Sequence, residues 1–397
     1  MTHKKSLLSA ILATATLASA GIGHAQEKPP VKIGFVTELT GAWSFFGTSC
    51  VAGLKMAEKT LNPPGKRKIE FVIADDQTSP AQAVAASRSL DVQDKVLALS
   101  GPTSSDTGLA VYGYAEQNKV PFVVPVAAFP QLTKPGTRYT FRLEPDAVGW
   151  GYAISKFVEK QKPGGKIAMI YSDYALMRAI TAGIKYQAPR SGLKIVADIA
   201  FPQGSNDATV QAAQILAATP DFVMVSGAGG FDNTITNQLL DLGIKPEQII
   251  HPFGITTQVM NWGKRSVGSY YGTFFDSNLD SLTPEGKTFV EEFTAQYDRP
   301  PSYGENFCYV TANVIREVID ANPEAADDRE KFRDAMSALK TKEKTSGIPI
   351  EFDKNGARME YMYFLQMKEV TAKTYKAKQA FYIEWDPEVI PVYTLVK

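Results

Sequence analysis

Histidine and cysteine are scarce in this chain: three and two residues among 397. Two cysteines exclude a disulfide-built scaffold and a four-cysteine zinc site. No C-x-x-C, H-E-x-x-H or Walker A phosphate loop is present, and the carboxylates nowhere take the spacing of a calcium loop. Charge of neither sign is in excess. The 42 Lys and Arg balance 42 Asp and Glu, so the basic surplus of a nucleic-acid binder is missing. Past the N-terminus no apolar stretch reaches the roughly 20 residues that span a bilayer. What is there is a globular composition, 44% hydrophobic and 21% charged, on a chain long enough for two or three domains.

Lys4 and Lys5 precede an uncharged stretch over residues 7–21, and Gly23-His24-Ala25 puts small residues three and one positions before Gln26. This predicts a secretory signal peptide over residues 1–25, cleaved before Gln26, and an exported mature chain. The stretch is short and rich in Ala, Ser and Thr, unlike a membrane anchor, and no cysteine follows it to carry a lipid. Its removal leaves 40 basic against 42 acidic residues and a single histidine, His251.

Beyond the leader, short β-rich runs alternate with helical stretches. Residues 31–36, 69–74, 96–99 and 122–124 read as strands, separated by helices over 53–60, 81–91 and 107–118. The pattern resumes with strands at 166–171, 194–199, 222–226 and 268–275 and helices at 177–188, 209–218 and 234–242. Continuous apolar strands with helical crossovers predict parallel sheets covered on both faces. So many units in one sheet would be unusually wide, so two α/β lobes are expected. Residues 348–352, 361–366 and 379–383 read as hairpin strands, with Asp353-Lys354-Asn355-Gly356 as turn chemistry. Tyr270-Tyr271 and Tyr361-Met362-Tyr363 read as strand residues on a core, and Lys340, Lys342 and Lys344 as a solvated loop.

The search for catalytic chemistry is negative. No G-x-S-x-G elbow exists, so any Ser-His or Cys-His pair would depend on His251. That residue lies between Ile249-Ile250 and Pro252, the setting of a structural histidine at a strand end. Gly227-Ala228-Gly229-Gly230 lacks the G-x-G-x-x-G spacing and reads as a tight strand-to-helix turn. Neither a metal nor a cofactor is expected.

Two strand-to-helix turns carry positive signals. Gly101-Pro102-Thr103-Ser104-Ser105-Asp106 precedes a helix, and its hydroxyls suit capping and, equally, a ligand anion at the helix N-terminus. The stretch from Leu39 to Gly47 places Trp43, Phe45 and Phe46 in a loop before the first helix. Exposed aromatics there are costly unless they pack or bind something. Core packing is expected to account for at least one of them.

These features follow one another in a telling order. Val31-Lys32-Ile33-Gly34-Phe35 with Leu39-Thr40-Gly41 comes first, then Asp75-Asp76 with Pro80 and Ala83. Gly101 to Ser105, Pro125 to Thr133 and Pro301-Ser302-Tyr303 come after. This order resembles that of the Leu/Ile/Val-type periplasmic solute-binding proteins, over essentially the whole mature chain. The resemblance implies two Rossmann-like α/β lobes with mostly parallel sheets, joined by three hinge crossovers. It also implies a ligand in the cleft, hinge closure on binding, and a periplasmic monomer serving an ABC permease complex in the inner membrane. In that architecture lobe one takes residues 26–146 and 275–347, and lobe two residues 147–274 and 348–397.

Carried over by position, Ser104 resembles a family serine that binds the ligand carboxylate, with Ser105 beside it. Val126 resembles a position contributing backbone groups. Phe46, with Trp43, takes an apolar or aromatic place over the ligand. Tyr174 and Tyr303 resemble contacts of lobe two and of a late helix. Ala128 and Phe253 depart from the pattern. Amino-acid binders of the family carry a threonine at the first and, at the second, a glutamate that pairs with the ligand ammonium. An ammonium buried without an anion costs several kcal/mol, and phenylalanine supplies no anion. The departure favours a non-amine ligand, an aromatic or other hydrophobic carboxylate. The alternative, a branched-chain or other neutral amino acid, would need an acid elsewhere, such as Asp173 or Asp232. Arg178, four residues after Tyr174, reads as a second anion partner or a solvated helix residue. Readings of a different class are a sensor-type receptor and an exported hydrolase using His251. Cys50 and Cys308 fall on lobe-one helices and are either bridged or two buried thiols.

Overall fold

The computed structural model describes residues 28–386 and 389–396; the signal peptide expected over residues 1–25 lies outside them. Strand β1 (Val31–Thr37) is buried along nearly its whole length, as its apolar VKIGFVT run requires of a strand covered on both faces. It lies between β2 (Ile69–Asp75) and β3 (Ala98–Ser100). With β4 (Phe122–Val124) and β5 (Thr140–Arg142) these form a parallel sheet in the order β2-β1-β3-β4-β5. The crossovers are α1 (Ser44–Leu61), α2 (Pro80–Val92) and α3 (Ser105–Asn118). Pro80 opens α2, where its missing N–H costs nothing, and Lys119 closes α3 in the left-handed region. Helix α1 begins at Ser44 and not at Gly53, so Phe45 and Phe46 belong to its first turn and not to a loop. Ring packing holds that turn: Phe46 lies 5.6 Å from Tyr303 and Trp43 lies 5.2 Å from Tyr174, centroid to centroid.

The second lobe repeats the plan. Strands β6 (Lys166–Ser172), β7 (Lys194–Phe201), β8 (Phe222–Ser226), β9 (Ile249–His251) and β10 (Tyr270–Thr273) are parallel. Helices α4 (Ala147–Gln161), α5 (Ala175–Arg190), α6 (Thr209–Ala217), α7 (Phe231–Asp241) and α8 (Thr256–Trp262) accompany them. The Gly227–Gly230 segment is the tight turn into α7 that its spacing implied.

The chain then returns to the first lobe through α9 (Pro284–Tyr297), α10 (Tyr303–Ala321) and α11 (Arg329–Ser337). Helix α10 packs along α1, and a Cys50–Cys308 disulfide joins them, with Cα atoms 5.4 Å apart. Closing so long a loop restricts the unfolded chain and stabilises the fold by about 2–4 kcal/mol. Residues 340–342 form a short exposed strand and not a loop: β11 (Lys340–Lys342) pairs antiparallel with β12 (Pro349–Glu351). The turn at Asp353 to Gly356 does not join β12 in a ladder to the next strand; it closes on the single bridge Phe352–Arg358. Gly356 instead presses against β5. Its φ is 81°, and a Cβ there would lie 1.9 Å from the Thr140 carbonyl oxygen.

Two long strands, β13 (Glu360–Val370) and β14 (Tyr375–Trp385), then add an antiparallel edge to the second sheet. Its order is β14-β13-β10-β9-β8-β6-β7. Tyr271 and Tyr361 are buried in the core, as expected of them. A last turn, α12 (Val392–Leu395), follows. The chain thus passes between the lobes three times: after β5, after β10 and after β12. No helix among the described residues is long and apolar enough to cross a membrane.

Candidate ligand-binding site

The site is built where the carboxyl ends of β1, β3 and β4 meet the start of α3. Glu38, the residue after β1, is fully buried. One carboxylate oxygen accepts from Thr103 N (3.2 Å) and Thr103 Oγ1 (2.6 Å). The other accepts from Ser104 N (2.8 Å) and Thr107 Oγ1 (2.9 Å). The N-terminus of α3 therefore already holds a carboxylate of the protein's own. Ser104 and Ser105 are fixed by this arrangement, and Ser105 Oγ accepts from Ala128 N at 3.3 Å.

Asp76 is buried close to Glu38, with Oδ1 accepting from Thr78 N at 2.9 Å. Burial, and after it the Glu38 charge, push its carboxyl up to about 7, against the Thr78 N–H and the Thr107 hydroxyl. An unfolded aspartate titrates near 3.9. From about pH 4 to 7 the folded chain therefore holds a proton that the unfolded chain does not, and stability falls as pH rises through that window. Asp76→Asn keeps the acceptor for Thr78 and removes the titration. Urea denaturation should show a flatter pH dependence for this variant and a higher midpoint than wild type at about pH 8. An unchanged slope would assign the dependence to another group.

Eight of the nine residues named from the sequence line one cavity: Trp43, Phe46, Ser104, Ser105, Val126, Tyr174, Phe253 and Tyr303. The ninth, Ala128, is buried behind it, its main chain bonded to Ser105 Oγ and Ala147 N. Thr103, whose hydroxyl was read with its turn as capping or ligand-binding, also lines it, and three further lining residues escaped the sequence reading: Glu144, Trp150 and Leu176. Trp43, Phe46, Ser104 and Tyr303 belong to the first lobe, and Trp150, Tyr174 and Phe253 to the second. Tyr174 Oη lies 3.2 Å from Ser226 Oγ. Trp150 packs against Phe253 at 6.1 Å and Phe274 at 5.0 Å. The enclosed volume is only ≈ 20 Å³, about room for one water. A solute can enter only if these walls move apart.

Neither acid named as a possible ammonium partner is among the lining residues. Asp232 is buried and accepts from Trp262 Nε1 at 2.6 Å, and burial pushes it up to about 6. Asp173 is half-exposed and pairs with Arg178 at 2.9 Å. Arg178 is the solvated helix residue of the two readings offered for it, and it also approaches Asp106 of the other lobe at 3.9 Å. The acid that does line the cavity is Glu144, fully buried, with both oxygens lacking a hydrogen-bond partner.

Residues 30–374 match the family model described as periplasmic binding protein. The chain belongs to the periplasmic binding protein family. The "Leu/Ile/Val-binding protein BraC3" of Rhizobium johnstonii is 26% identical to it over 331 residues, covering 82% of this chain and 86% of that one. Two solved structures share the fold. A solute-binding protein from R. palustris in complex with benzoate superposes with a TM-score of 0.79 at 19% identity, covering 91% and 99% of the two chains. A branched-chain amino acid transporter substrate binding protein from Streptococcus pneumoniae, in complex with isoleucine, gives 0.75 at 22%, covering 90% and 100%.

This periplasmic binding protein is not an enzyme. Its His251 is buried and stacked on Trp262, with ring centroids 3.7 Å apart, and burial lowers its pKa to about 3. It is a neutral core side chain that does not line the cavity, which disposes of the hydrolase reading. Among the described residues no group of three or more His, Cys, Asp or Glu is placed to hold a metal ion.

Proposed function

We propose that this ABC-transporter binding protein captures a small carboxylate with an apolar body and closes its two lobes around it. The observation that carries the reading is the cavity, where six aromatic side chains from both lobes surround the Ser104 and Ser105 hydroxyls. Benzoate and isoleucine, held by the two structural neighbours, are both carboxylates with an apolar body. Phe253 supports an aromatic or hydrophobic acid without an amine, whereas Glu144 supports a neutral amino acid. The Trp43–Tyr174 and Arg178–Asp106 contacts cross the cleft and would break on opening, so the ligand offsets their loss by binding the closed form better. We place lobe one at residues 26–146 and 275–357, because residues 349–357 pair with β11 and β5, and lobe two in the remainder. The mature protein, cleaved before Gln26, acts as a periplasmic monomer that delivers its solute to an inner-membrane permease.

A thermal-shift screen of residues 26–397 tests this, with aromatic acids, aliphatic acids and neutral amino acids as ligands. At 100 times its dissociation constant a true ligand adds about 2.7 kcal/mol of stability. Phe253→Glu should abolish that shift while leaving a cooperative melt. If no carboxylate stabilises the protein the reading is wrong, and an unchanged shift in the variant would move the site elsewhere.

A further inference from the structure

Glu144 follows β5, is fully buried and lines the cavity, yet neither of its carboxylate oxygens has a hydrogen-bond partner. Folds rarely keep a buried carboxylate with no donor, because its lost hydration is uncompensated. The groups around it do not neutralise it. Arg142 donates to the main-chain oxygen of Glu144 and to Thr133 Oγ1, and approaches Glu360 on β13 at 3.5 Å. Asp146, next on the same connection, is spent on the α4 N-terminus through Val148 N and Gly149 N. One guanidinium thus faces three buried acids. Among the lining residues, the titratable groups that α10 and the start of α5 contribute are the phenols of Tyr303 and Tyr174. Among the described residues no cationic side chain lines the cavity. Its walls are aromatic, and aromatic ring faces attract cations.

We infer that Glu144 is the charge-selecting residue of this site: it pairs with a protonated amine on the solute, so the carboxylate taken up is a zwitterion. The inference rests on the cavity being the binding site. It puts the anion that position 253 lacks onto the β5–α4 connection instead. Burial, reinforced by Glu360 and opposed by Arg142, holds the Glu144 carboxyl well above its usual range. An entering ammonium therefore displaces a proton, and binding tightens as pH rises.

The test uses matched probes: L-phenylalanine, hydrocinnamate and phenethylamine, then L-leucine, isocaproate and isoamylamine. Each is titrated by calorimetry into wild type and Glu144→Gln, in two buffers that differ in ionisation enthalpy. The expected result is binding of an amino acid with proton release, weakened about 100-fold or more by Glu144→Gln. The variant should melt no lower than wild type, because the carboxylate has no partner to lose. Glu144→Leu, which also removes the charge, should lose affinity equally. If the des-amino acids bind wild type as tightly as the amino acids, or if the variants bind amino acids normally, the inference falls and the carboxylate reading stands. If the amines alone bind, Glu144 keeps its role and the carboxylate reading falls. If no probe binds, both fall.

Discussion

Glu38→Gln should cost about 3–5 kcal/mol of stability, measured by urea denaturation near pH 6, and weaken ligand binding with it. The reason is geometric. Each Glu38 oxygen receives one backbone N–H, Thr103 N on one and Ser104 N on the other. Hydroxyls can rotate to accept from an amide; backbone N–H groups cannot. Either orientation of the glutamine therefore turns its NH2 onto a backbone donor. One charge-assisted hydrogen bond worth about 1.5–3 kcal/mol is lost, and a buried donor worth about 1–3 kcal/mol is left unpaired. Near pH 6 Asp76 is largely protonated, so relief of its repulsion with Glu38 offsets little. The loop carrying Ser104 and Ser105 loses its anchor at the same time. A loss under about 1 kcal/mol would mean that this carboxylate is not what holds the loop.

Arg358→Met should be as costly. Arg358 is fully buried where the third passage between the lobes begins. Its Nη1 donates to Glu343 Oε1 at 2.6 Å and to the Leu143 carbonyl at 3.3 Å, and its Nη2 donates to the Pro349 carbonyl at 2.7 Å. It thereby ties the first passage to the third. Glu343 is also fully buried, and methionine would leave it with the Tyr361 and Ser346 hydroxyls but no cation. Breaking a buried pair from one side costs about 3–5 kcal/mol. Replacing both partners, as Arg358→Met with Glu343→Leu, should recover most of the loss, since apolar side chains of similar volume often substitute for a buried pair. A double variant as unstable as the single one would show that the carbonyl contacts, and not the pair, hold the hinge.

Much of the scaffold was legible because its local patterns agree with the fold. The runs at 31–36, 122–124 and 222–226 are apolar without interruption, and each is a buried strand. Several elements escaped, α8, α9, α11 and β11 among them, and the two that matter for the site are β5 and α4. The first is three residues long. The second carries Gly149 and Gly151, which weaken a helical reading. Those glycines make sense only against their neighbours. A Cβ on Gly151 would lie 2.1 Å from the Ile180 carbonyl oxygen of α5, so the two helices can approach closely only with glycine there. Missing these two elements also meant missing Trp150 and Glu144, since one lies on α4 and the other just before it.

The sequence by itself determined the parallel α/β plan, which follows from periodicity and from turns at strand ends, and the resemblance carried by the order of its motifs pointed to eight residues that line the cavity. The electrostatics of the site belong to the tertiary structure. Glu38 and Glu144 are both single acids just past a strand, and nothing in their local sequence separates them. Four donors from the Thr103–Thr107 turn converge on Glu38, and none reaches Glu144. A carboxylate's partners depend on which distant segments the fold brings beside it, and one stretch of chain does not contain that information.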